Sequence, residues 1–76
     1  MTYKEVYNIV GYFTPKVMPE FTEEGVGHFP EGEDAIAVAK ALLKQAEFWQ
    51  GHNTENAEAL AAAGLAVLKA AGLSLH

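Results

Sequence analysis

Between Ala57 and Leu73 the chain carries eight alanines and two glycines, and its only charges there are Glu58 and Lys69. Alanine is the best intrinsic helix former, so this stretch is expected to be a helix with an unusually smooth surface. So little charge leaves most of the cylinder without solvating side chains. A helix of this kind is expected to pack against more than one neighbour.

On a helical projection, Ala57, Leu60, Ala61, Gly64, Leu68 and Ala71 form one stripe whose small residues let a partner backbone approach closely. That stripe is assigned to the preceding helix. The remaining face runs through Ala59, Ala62, Ala63, Ala66 and Ala70, with Leu65 off the stripe. Two readings stay open for it. Alanine tolerates exposure, so the face could simply be solvated. Alternatively it is a second buried face, set either against the N-terminal segment or against another copy of the chain; in the latter case those five alanines are the oligomer interface. A membrane span is disfavoured, because Glu58 and Lys69 interrupt a stretch that barely reaches the required length.

The preceding helix is signalled from both ends. Gly32 is the expected N-cap, with Glu33 and Asp34 in the first turn, where carboxylates meet the positive end of the helix dipole. Ala35, Val38, Leu42, Ala46 and Trp49 recur at three- and four-residue steps, and Lys40, Lys44 and Glu47 hold the opposite side. Gly51 is expected as a left-handed C-cap, and Asn53 or Thr54 as the N-cap of the alanine-rich helix. The two helices therefore span about 33–50 and 55–71. A link this short makes them an antiparallel hairpin.

The N-terminal segment reads two ways. Tyr3, Val6, Tyr7, Ile9, Val10 and Phe13 gather on one side of a helix over about 3–13, and Thr2 with Glu5 makes a capping box. Tyr, Val and Ile also favour strands, and Gly11 weakens a helix, so a β-hairpin pairing with Gly25 to Phe29 is the alternative. The interval from Pro15 to Pro30 is punctuated by proline and glycine and is expected to be an ordered loop clamped by Val17, Met18, Phe21, Val26 and Phe29. The expected fold is thus all-α, a single small domain over residues 1–76, with α+β as the alternative.

With 76 residues, the chain buries only about 60% of the surface it exposes when unfolded, so self-association would add needed burial. Net charge is −5, all five basic residues are lysine, and arginine is absent. Lys4, Lys16, Lys40, Lys44 and Lys69 are too few and too scattered for a nucleic-acid footprint. Between Val17 and Ala39 there is no lysine or arginine, whereas Glu20, Glu23, Glu24, Glu31, Glu33 and Asp34 all fall there. They form an acidic patch whatever its fold, most of it on the long loop before the helix.

Catalytic and metal motifs are sparse. Glu20 to Glu31 resembles a calcium-binding EF-hand loop only in Gly25 at the sixth position and Glu31 at the twelfth, and Thr22, Glu24 and Pro30 fit that pattern badly. His28, His52 and His76 give no helical ligand pair. His52, in the interhelical link, is expected to cap the last carbonyls of the preceding helix. Ser74 is the only serine and sits near the chain end, and Gly25 and Gly27 lack the lysine and helix start of a phosphate loop. Without cysteine there is no disulfide or thiol chemistry. No enzyme activity, metal or cofactor is expected.

Binding remains. Phe48 projects opposite Trp49, either covered by Val6, Ile9 or Phe13 or exposed as an anchor for a partner. The expectation is a small acidic interaction protein, a regulator or inhibitor of bacterial or phage type. It would dock Glu20, Glu23, Glu24, Glu31, Glu33, Asp34 and Phe48 on a basic surface of a larger protein. The alternatives are a self-assembling helical subunit and a small-ligand or calcium binder. The start at Met1 lacks the features of a signal peptide, which points to the cytoplasm.

Overall fold

A computed structural model describes residues 2–13 and 29–73. They form three helices: α1 (Tyr3–Phe13), α2 (Gly32–Trp49) and α3 (Thr54–Ala70). No strand occurs among the described residues, so the fold is all-α. The N-terminal segment is helical, and the alternative of a β-hairpin there does not hold.

The start of α1 is fixed by its capping box. The Thr2 backbone N–H and hydroxyl donate to Glu5 Oε1 at 2.9 and 3.0 Å, and the Glu5 N–H donates back to Thr2 Oγ1 at 3.3 Å. The two side chains satisfy amide groups that a helix start otherwise leaves open. Val6 and Val10, one turn apart, are fully buried. Tyr3, Tyr7, Ile9 and Phe13 pack half-buried around them, while Lys4, Asn8 and Tyr12 face outward. The strand preference of Val, Ile and Tyr is outweighed because helical spacing puts all the apolar groups on one side.

α2 buries Ala35, Val38, Ala39, Leu42 and Ala46, close to the stripe read from the sequence, with Trp49 half-buried at its end. The first hydrogen bond runs from the Ala35 N–H to the Glu31 carbonyl, so the cap falls on Glu31, one residue before the expected Gly32. Gly32 has a φ of 56°, a left-handed value that suits glycine and lets the extended Glu31 turn into the helix.

Gly51 does not take the expected left-handed conformation. The chain leaves α2 with Gln50 still right-handed, and the N–H groups of His52 and Asn53 both donate to the Trp49 carbonyl, at 2.9 and 2.8 Å. These bonds satisfy the Trp49 carbonyl, and the Gln50 N–H those of Ala46 and Glu47, without a positive φ. Asn53 then caps α3 at once, its Oδ1 accepting from the Asn56 N–H at 3.1 Å. The left-handed glycine lies at the far end of α3 instead. Gly72 has a φ of 75°, its N–H donates to the Lys69 carbonyl, and the Leu73 N–H reaches back to the Leu68 carbonyl at 2.8 Å. That is the paired arrangement of a Schellman stop.

α2 and α3 pack along their length. Gln50 and Thr54 share one groove with Ala46 and Ala57 and with Leu43 and Ala61, and further along Gly64 lies against Leu43 and Ala39. Residue numbers fall on one helix as they rise on the other, so the pair is antiparallel. Among the described residues Leu42 and Leu60 are the largest fully buried side chains, each stabilising the fold by about 1.5–3 kcal/mol through burial. α1 lies mainly against α3, and Val6 and Val10 join Ala63 and Val67 in the core.

Candidate functional site

The acids of α2 stand on a short, well-anchored lead. Pro30 is buried, and the Phe29 ring meets Tyr3 of α1 edge-on at 5.6 Å. This fixes where the next residues emerge. Glu31 is extended, makes no capping hydrogen bond with its side chain and is exposed, as are Glu33 and Asp34 in the first turn. The helix dipole favours carboxylates at this end, so the charge concentration also helps hold the helix start. Glu20, Glu23 and Glu24 lie outside the described residues, as does most of the segment that resembles a calcium loop.

Phe48 is not brought to those acids. Fifteen residues of α2 separate it from Glu33, about 22 Å along the axis. Nor is it covered by α1, because its side chain remains 60% exposed. Instead it belongs to a ladder of rings. Tyr12 and Phe13 lie 4.7 Å apart, Phe13 meets Trp49 at 5.9 Å, Trp49 meets Phe48 at 5.5 Å, and Phe48 lies 5.1 Å from the His52 imidazole. The end of α1 is thereby tied to the end of α2. His52 donates to the Trp49 carbonyl through its backbone N–H, while its imidazole packs against the two neighbouring rings. Of this ladder the sequence suggests only that Phe13 could approach the end of α2; the ring reached is Trp49, and Phe48 stays exposed.

The second face of α3 divides. Ala63 is fully buried in the chain's own core and is unavailable to another subunit. Ala63 and Val67 share one core with Val6 and Val10 of α1, so this part of the second face is set against the N-terminal segment, while Ala61 on the hairpin stripe is half-buried. Ala59 and Ala66 are half-buried, and Ala62, Leu65 and Ala70 are exposed. Phe29 overhangs this outer side, enclosing a shallow hollow of ≈ 580 Å³ with Ala62, Leu65, Ala66 and Ala70, where Lys69 is the one charged neighbour among the described residues.

Among the described residues, no cluster of three or more His, Asp or Glu is arranged to hold a metal ion, and no buried side-chain polar atom lacks a partner. No described helix is long and apolar enough to cross a membrane. Comparison with protein-family models, curated proteins and solved structures finds no match to this chain.

Proposed function

We propose that this protein acts by binding rather than by catalysis, docking the carboxylates at the start of α2 on a basic surface of a larger protein and regulating or inhibiting it. The observation that carries the reading is the exposure of Glu31, Glu33 and Asp34 together on an anchored helix start, in a chain of net charge −5. A fixed cluster of like charge steers a basic partner into register and raises the encounter rate, most strongly at low salt. Glu20, Glu23 and Glu24 extend the same run of acids in sequence.

The test is a comparison of partner capture by the wild-type chain and by a Glu31→Gln, Glu33→Gln, Asp34→Asn variant at low and high salt. Binding that falls with both changes supports the reading. Binding indifferent to both removes it.

A second reading, self-association through the outer side of α3, is favoured by one observation: Leu65 is 47% exposed beside Ala62 and Ala70 rather than covered by α1. An apolar strip on a helix gains burial when a second copy lies across it. Light scattering at high micromolar concentration distinguishes a dimer from a monomer. Most of the segment behind the calcium-binding alternative lies outside the described residues.

A further inference from the structure

Near their connecting turn, α2 and α3 leave a groove of ≈ 420 Å³ between them. Its floor is apolar, made by Leu43 and Ala46 from α2 and by Ala57 and Ala61 from α3. Three of these four side chains are single methyl groups, which is why the seam stays open at the surface. Each helix adds one carboxylate to the wall, Glu47 and Glu58, and both residues are exposed. Gln50 and Thr54 close the end toward the turn, and no lysine is among the described residues lining the groove. Lys44 borders a separate hollow with Glu47 and Phe48.

An apolar channel with a carboxylate on either helix is complementary to a side chain with a hydrocarbon stem and a cationic head. We propose that the groove receives an arginine side chain from a basic partner protein, the stem lying on Ala46 and Ala57 and the guanidinium reaching Glu47 and Glu58. Arginine fits better than lysine because the acceptors come from several sides. Besides the two carboxylates there are the Gln50 amide oxygen and the Thr54 hydroxyl, which a planar group with five N–H donors matches more fully than an ammonium with three. This proposal rests on the reading of the partner as basic. It adds a second contact near the turn, at the other end of α2 from Glu33.

The full chain is titrated with n-butylguanidinium, and separately with n-butylammonium, while backbone amide shifts are followed by NMR. Saturable shifts at Ala46, Glu47, Ala57 and Glu58 are expected, with the guanidinium binding more tightly. The Glu47→Gln, Glu58→Gln variant should weaken binding roughly tenfold, as loss of charge-assisted contacts requires. Both positions are exposed and glutamine is close in shape, so the variant keeps the fold, checked by circular dichroism. Equal binding of the two cations, shifts of the same size at Glu33 and Asp34, or unchanged binding by the variant would each overturn the proposal. The variant at Glu31, Glu33 and Asp34 should titrate like wild type here, so failure of this proposal and failure of the docking reading are seen separately.

Discussion

Gly64 of α3 sits so close to Leu43 of α2 that a Cβ added to the glycine would lie 3.1 Å from Leu43 Cγ and 3.4 Å from the Ala39 carbonyl oxygen. The tight contact is with the half-buried Leu43 side chain, which must shift by a few tenths of an ångström to take a methyl group. Replacing an interior helical glycine with alanine gains up to about 1 kcal/mol of helix stability. Gly64→Ala is therefore expected to leave the melting temperature unchanged or slightly raised. Gly64→Leu cannot be absorbed by one rotamer change and should cost about 1–3 kcal/mol, read as an earlier midpoint in urea unfolding.

Two leucines five residues apart on α3 should behave oppositely. Leu60 is fully buried and Leu65 is 47% exposed. Leu60→Ala is expected to cost about 2–5 kcal/mol, a large part of what so small a chain possesses, whereas Leu65→Ala should change stability by no more than about 0.5 kcal/mol. Chemical denaturation of the two variants side by side provides the check.

Much of the helical framework is legible in the amino-acid sequence, and the reason is local chemistry. Thr2 with Glu5, and Asn53 with Asn56, are short-range capping contacts between near neighbours, so the starts of α1 and α3 are written in the residues around them. Gly51 misleads because a glycine after a helix does not reveal whether neighbouring N–H groups will satisfy the last carbonyls first, as those of His52 and Asn53 do. Ala63 is decided by tertiary packing: on so uniform a helix, whether the second face meets the N-terminal segment or another copy depends on where α1 settles. The exposed acids of α2 are readable from charge spacing. Their separation from Phe48, and the union of Tyr12 and Phe13 with Phe48 and Trp49, depend on packing between distant segments.

The Asn53 cap should be worth about 0.5–2 kcal/mol, lost in Asn53→Ala. Hydrogen exchange should show the loss first at Asn56, whose amide donates to the removed oxygen.

Acid should loosen α1 through Glu5. The Thr2 backbone N–H bonded to the Glu5 carboxylate, followed by the Thr2 hydroxyl, holds the Glu5 pKa below its ordinary value. A folded-state pKa below the unfolded one means that the capping contribution is present above the unfolded value. It is lost as pH falls through the lowered folded value. Amide exchange at Val6 should therefore accelerate across the acid end of the carboxylate range. In Glu5→Gln, which keeps an acceptor but no charge, that pH dependence should disappear.

Charge placed on α3 should separate folding from assembly. Ala63→Glu buries a carboxylate in the core and should abolish the fold, because an unpaired buried charge is strongly unfavourable. Ala62→Glu falls on the exposed side and should leave helicity unchanged. If copies associate through that side, light scattering should show the Ala62→Glu chain as a monomer where the wild type is not.

Quantitative capture of basic proteins on the immobilised wild-type chain and on the Glu31→Gln, Glu33→Gln, Asp34→Asn variant tests the docking account most directly. The prediction is a partner retained by the wild type at low salt and lost both in the variant and in high salt, since the contact is between exposed charges. Retention of the same proteins by both chains, or salt-independent retention, would contradict it.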